Sequence, residues 1–157
     1  MMYAFRLVAL PVEAVAHLFD RSDAELAAHG AQRCIVDTKP GFPCRVSLVD
    51  AELGEHVILL PFTHHDTPSP YRGVGPIFVR EHARTAHLAV NEVPAMIRRR
   101  LLSIRAYDRS GILIGAEVAE GSGLEAQIER FFRDAAVESL HLHNARPGCF
   151  NCRVERA

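Results

Sequence analysis

The sequence predicts an α+β fold, with a mixed, mostly antiparallel sheet packed by about three helices. Strand-like runs follow one another through the middle and the end of the chain. Helix-like stretches lie near the start and the end, and no regular β–α alternation occurs, which argues against a doubly wound parallel sheet. No linker, repeat or low-complexity tract divides the 157 residues, so 1–157 reads as a single domain. A chain of this length buries about 70% of the surface its unfolded form exposes and needs neither disulfide nor metal to fold.

Taken in order, Phe5 to Ala9 reads as the first strand. Pro11 opens a helix, because its fixed φ and missing N–H suit a first helical position, and Val12, Val15, Leu18 and Phe19 share one stripe. Ser22 followed by Glu25 is a capping box for a short helix that runs to His29 and stops at Gly30. Gln32 to Asp37 and Arg45 to Val49 are predicted strands on either side of the turn-rich Lys39-Pro40-Gly41-Phe42-Pro43. In Glu55 to Phe62 the continuous apolar run Val57 to Leu60 predicts a central strand covered on both faces. Gly75 to Arg80 is another strand, Pro94 to Arg99 one helical turn, and Leu101–Tyr107 and Ile112–Val118 a hairpin around Asp108-Arg109-Ser110-Gly111. Ser122 with Glu125 predicts a second capping box, opening a helix with Leu124, Ile128, Phe131, Phe132 and Ala135 at helical spacing. Glu138 to His143 and Cys149 to Val154 close the chain as strands.

Hydrophobic residues make up 48% and charged residues 24%, the balance of a soluble globular protein, which excludes a disordered chain. A net charge of −1 gives no field to steer the chain toward nucleic acid or an anionic membrane. No segment reaches the ~20 apolar residues of a membrane span. Met1 to Asp20, interrupted by Arg6, Pro11, Glu13 and His17, reads as neither signal peptide nor anchor. Four cysteines without a secretory signal then predict free thiols in a reducing cytoplasm. Arg98-Arg99-Arg100 reads as a solvated helix end followed by one structural arginine.

The C-terminal strands carry the chemistry most open to reading. Alternation puts Leu140 and Leu142 on one face and His141 and His143 on the other; Phe150, Cys152 and Val154 separate likewise from Cys149, Asn151 and Arg153. Pro147-Gly148 suits the turn between them. The register that matches apolar with apolar sets His143 opposite Cys149, Leu142 opposite Phe150, His141 opposite Asn151 and Leu140 opposite Cys152. Opposed Cβ atoms are about 5 Å apart, so His143 would activate the Cys149 thiol, with Asn144 or Asn151 as the orienting third group. Cys149-x-x-Cys152 with His141-x-His143 also spells a zinc set. In an extended strand, however, residues three apart lie ~10 Å apart on opposite faces, beyond the ~7 Å limit of a disulfide. The expectation is therefore a protein with no metal and no cofactor.

Thr63 to Pro76 reads as a long loop in which Gly73 and Gly75 let backbone amides approach an anion and Tyr71 and Arg72 add donors. Arg45 and Arg105 alternate with small or aromatic residues on well-covered strands. Either they form internal pairs with Glu55, Asp50, Glu117 or Asp108, or they present a guanidinium cluster to a carboxylate or phosphate. Of the two neighbouring histidines, His64 lies nearer the strand end and is the better candidate than His65.

These motifs carry a resemblance. Lys39-Pro40-Gly41-Phe42-Pro43-Cys44-Arg45, Ser69-Pro70-Tyr71-Arg72 with Gly75-Pro76-Ile77-Phe78-Val79-Arg80, Arg100 to Ala106 and His141-Leu142-His143-Asn144-Ala145-Arg146-Pro147-Gly148-Cys149 together resemble the bacterial family numbered 1203 among the domains of unknown function. The resemblance implies small single-domain bacterial proteins with no assigned activity. Cys44, Arg45, His64, Tyr71, Arg72, Arg105, His141, His143, Asn144, Gly148 and Cys149 match its pattern. Cys152 departs from it, where a small residue such as alanine is usual, which weakens the four-ligand zinc reading further.

The leading expectation is a pocket for a small anionic molecule, bound by Arg45, His64, Tyr71, Arg72, Arg105 and His141, with Cys149, His143 and Asn144 as catalytic candidates. The alternatives are a non-enzymatic binding module that dimerises through the hairpin edge, and a zinc protein using the C-terminal histidines and cysteines. Nucleic acid and membrane are not expected partners.

Overall fold

The strand-forming runs pair into two antiparallel sheets where the sequence predicts one. A computed structural model describes residues 2–157; Met1, part of the predicted N-terminal stretch, lies outside them. In chain order the elements are β1 (Phe5–Val8), α1 (Asp23–Ala28), β2 (Gln32–Ile35), β3 (His56–His65), β4 (Gly73–Arg80), α2 (Ala95–Arg98), β5 (Leu101–Tyr107), β6 (Leu113–Glu120), α3 (Leu124–Phe132), β7 (Ser139–Asn144) and β8 (Phe150–Arg156). One sheet has the order β1-β8-β7-β5-β6 and the other β2-β3-β4, so the fold is α+β as the element pattern predicts. No helix among the described residues is long and apolar enough to cross a membrane.

Strand alternation gives the five-stranded sheet one apolar face. Leu102, Ile104, Ala106, Leu140, Leu142, Cys152 and Val154 pack there against Leu124, Ile128, Phe131 and Phe132 of α3 and Met96 and Ile97 of α2. Burial of side chains of this size contributes about 1.5–3 kcal/mol each. The opposite face carries Ser103, Arg105, Tyr107, His141 and His143, the alternate residues of β5 and β7. In the three-stranded sheet β3 is central, as its apolar run predicts. Ile58 and Leu60 join Leu26 and Val15 in a second core, while Val57 packs the other way on Val36 and Ala51.

Several predicted boundaries move. Arg45 to Val49 is a turn held by isolated bridges, Pro43 to Asp50 and Cys44 to Phe78, with Leu48 at φ 53°. Val46 enters the second core and Leu48 the first, which residues i and i+2 on one strand face cannot do. Residues 12–18 form two consecutive 3₁₀ turns rather than one helix, divided at Val15, whose φ is −130°. The Ser22 capping box is present, with both reciprocal bonds made. The Ser122 box is absent: Gly123 is the N-cap, Ser122 sits in the preceding 3₁₀ turn, and Arg98 holds the Glu125 carboxylate. The predicted Thr63–Pro76 loop shrinks to residues 66–72, because β3 continues to His65 and β4 begins at Gly73. Prolines Pro61 and Pro76 face each other in that pair and cost no ladder, since β2 reaches only to Leu59 and β4 is an edge.

The C-terminal hairpin forms in a different register. Leu142 pairs with Cys152, His143 with Phe150 and His141 with Arg153, so Asn151 is the extra residue of a bulge in β8. The predicted His143–Cys149 opposition is therefore not made. The bulge carries Phe150 to the histidine face and leaves Cys152 and Val154 in the core. Nor is the hairpin an edge: β8 pairs with β1 and β7 with β5, which leaves no open strand there for dimerisation.

Candidate functional site

Two bulges build a cluster of imidazoles between the sheets. Alternation along β7 turns His141 and His143 away from α3, and both are buried, 2% and 0% exposed. In β3 the pairing runs Thr63 to Val74 and then His65 to Gly73, so His64 is the bulged residue. Adjacent strand residues normally point to opposite faces, but here both rings reach His141, at centroid distances of 6.4 Å for His64 and 5.0 Å for His65. His64 also meets His143 edge-on at 5.0 Å, and the Phe150 ring lies nearly parallel to it at 5.5 Å. Glycine at 73 makes room for this: a Cβ there would lie 2.6 Å from His64 Cε1.

Hydrogen bonding fixes one tautomer. His143 Nδ1 lies 2.9 Å from the Gly148 carbonyl, which can only accept, so Nδ1 carries the proton and Nε2 a lone pair. Gly148, at φ 84°, is the residue that lets the turn bring that carbonyl round. His143 Nε2, His64 Nδ1 and His141 Nδ1 are all buried without a hydrogen-bond partner. One ring nitrogen of each residue lies within 4.8 Å of the others. Burial keeps the imidazoles neutral: the pKa of His141 falls to about 2 and that of His143 to about 4, the Gly148 bond opposing the second shift. His64 is also lowered, by burial and then by the nearby Arg105 charge.

Arg105 stands on β5 opposite His141, its Nε 3.3 Å from Ser103 Oγ, and has no ion-pair partner among the described residues. Next to it Tyr107 packs on His65 at 4.0 Å and on His141 at 4.8 Å; burial raises the phenol pKa and Arg105 opposes the rise. A cavity of about 540 Å³ opens beside the cluster, walled by His64, His65, His141, Tyr107, Phe150 and Arg153 among others.

A second polar group lies behind Phe150. Asn144 Nδ2 donates to Cys149 Sγ over 3.3 Å, and Asn151 Nδ2 donates to Asn144 Oδ1 over 2.7 Å. Arg45, 0% exposed, gives Nε to Phe150 O and Nη1 to Pro43 O, while its Nη2 has no hydrogen-bond partner. Burial pulls the Arg45 pKa down and the adjacent Cys149 thiol opposes that.

The family model described as "Protein of unknown function (DUF1203)" matches residues 41–156. The chain belongs to the DUF1203 family. No curated protein and no solved structure matches it. The matched span holds every residue of the histidine cluster and of the Arg45–Cys149 group, and leaves out β1, α1 and β2.

In this DUF1203 chain the predicted site residues divide into three places. His64, His141, His143 and Arg105 come together. Cys149, Asn144 and Arg45 form the neighbouring group, in which His143 takes no part: it opposes Phe150 and commits Nδ1 to Gly148. Tyr71 and Arg72 stay on the exposed 66–72 loop, where Arg72 pairs with Asp66, so the three predicted arginines do not converge. The expected internal pairs fail as well. Glu55 is held by Arg80, Asp50 by Arg100 and Glu117 by Arg130, while the Asp108 carboxylate caps the backbone of Ser110 and Ile112. All four cysteines are free, and Cys152 lies in the apolar core with Leu142 and Val154, on the face away from the histidines, where burial pushes its thiol up to about 12. His65, Tyr107, Phe150 and Arg153 join the site without having been singled out. For Tyr107 the signal was present, since it alternates with Arg105; for His65 and Phe150 the bulges hid it.

Proposed function

We propose that this protein binds a small anionic molecule at the histidine cluster between its sheets, with Arg105 as the charged anchor. One observation carries the reading: Arg105 is a partly buried guanidinium without a carboxylate partner, set among imidazoles that are uncharged at neutral pH. A charged group withdrawn from water needs an opposite charge, and the planar fork suits a carboxylate or phosphate. The reading is narrower than a three-arginine pocket, because Arg45 is buried in the neighbouring group beside Cys149, with Nε and Nη1 on carbonyls, and Arg72 pairs with Asp66 on the exposed loop. A thermal-shift series with acetate, citrate and phosphate tests it. An anion at one hundred times its Kd stabilises by about 2.7 kcal/mol, a rise of several degrees in Tm. Wild type is expected to show the rise and Arg105→Ala to lose it; an equal response of the two proteins removes the anchor.

A second reading, favoured by the Asn144–Cys149 contact, makes Cys149 a nucleophile. Asn144 and the buried Arg45 are then the groups that orient and stabilise its sulfur, in the place first given to His143.

A further inference from the structure

We propose that His64, His141 and His143 are the ligands of one divalent transition-metal ion, which completes the anion site by leaving a coordination position open beside Arg105. The metal half stands on its own geometry; the coupling to an anion rests on the reading of Arg105 given above.

An imidazole nitrogen buried without a partner costs about 1–3 kcal/mol, so three in one cluster form an expensive arrangement unless something satisfies them together. One ring nitrogen from each residue already lies within 4.8 Å of the others. Zinc–nitrogen bonds of about 2.0–2.1 Å in a tetrahedral site place ligand nitrogens ~3.4 Å apart, within reach of small side-chain rotations. The second shell is also in place. His143 donates Nδ1–H to a backbone carbonyl and thereby turns Nε2 to the cluster, the arrangement by which metal-ligating histidines are usually oriented. Backbone devices hold the third ligand: the β3 bulge turns His64 inward, and the missing side chain at Gly73 accepts its ring.

The donor set limits the metal. Three imidazoles without a carboxylate suit zinc, cobalt, nickel, copper or iron and not magnesium or calcium. Three protein ligands also leave a tetrahedral ion one position short. An ion of charge +2 beside Arg105, in a trio that holds no acid, calls for an anion at that position, so the ligand class is a small oxyanion bridging metal and guanidinium. The other group of metal-type side chains, Asp20, Glu81 and His82, does not compete, because His82 bonds Asp20 and Arg33 holds Glu81.

The test is a titration of tag-free, chelator-treated protein with Co²⁺ and Zn²⁺, read by metal content after desalting and by the visible d–d bands of cobalt. One retained equivalent with a tetrahedral cobalt spectrum is expected. His64→Ala and His143→Ala should each weaken binding at least about a hundredfold, whereas His65→Ala, outside the trio, keeps the full equivalent. Wild-type protein that retains no metal, or that binds it without the tetrahedral spectrum, overturns the proposal even if a histidine variant fails to fold. Acetate binding is then compared with and without cobalt. Tighter binding to the loaded protein supports the bridging anion, and equal binding overturns the coupling while leaving the three-histidine site. Anion binding that depends on Arg105 in a protein that takes up no metal sinks this proposal and leaves the anion reading intact.

Discussion

Asn144 cannot turn its amide without losing two bonds, since its nitrogen serves Cys149 and its oxygen is held by Asn151. A single hydrogen bond to the sulfur is worth about 0.5–1.5 kcal/mol, so Asn144→Ala is expected to slow alkylation of Cys149 by iodoacetamide severalfold at neutral pH. His143→Ala should leave that rate unchanged, because its ring faces Phe150 and not the thiol. Peptide mapping after brief labelling measures both, with buried Cys152 as the unlabelled reference. A rate that falls with His143 and ignores Asn144 would restore the histidine as the activating group. At this scale the sequence is legible wherever simple alternation holds. His141 and His143 share a face as predicted, and His64 joins them. His65 and Phe150 were misplaced because one extra residue inverts the face of everything beyond it, and no residue type announces a bulge at His64 or Asn151.

Short-range signals at the level of elements succeed or fail according to whether a distant partner competes. Ser22 and Glu25 form their box with only the adjacent Arg21 near the carboxylate, at 3.9 Å, whereas Glu125 is drawn away by Arg98 from another helix. Arg45 to Val49 alternates like a strand, yet its apolar residues serve two different cores. A comparable long-range tie, Glu55 to Arg80, clamps the end of β4 to the turn before β3 with two hydrogen bonds of 2.5 and 2.8 Å. Arg80 holds the Glu55 carboxyl below its ordinary value of 4.5, against the opposing effect of burial. A carboxylate whose folded pKa is depressed stabilises fully above its unfolded pKa, and that contribution fades as pH falls through the folded value. Glu55→Gln should therefore cost on the order of 1 kcal/mol at pH 7, a modest figure because both side chains are partly solvated. The difference should close below the carboxylate range. Urea unfolding at a series of pH values measures this, and a gap that stays constant into acid would assign the loss to packing and not to charge.

The whole molecule is two sheets with separate cores, and the element pattern alone could not show that division. All eight strands are legible in the sequence, which adds only one run, Arg45 to Val49, that forms none; which runs pair is decided by where Val46, Leu48 and the bulges send the chain, over separations no local window spans. The division also explains why the imidazoles gather where they do. His64 belongs to the three-stranded sheet, His141 and His143 to the five-stranded one, and their rings meet across the seam. An ion held by all three ties the sheets together, so binding should be felt on both sides of the seam at once. Saturating cobalt is expected to slow amide exchange in β3 and in β7 together, by comparable factors, and to raise Tm with metal concentration. In His64→Ala the protection of β3 should no longer respond to cobalt. Protection confined to β7 in wild type would mean that the ion sits on the hairpin alone and that the seam is joined by ring packing, not by shared ligation.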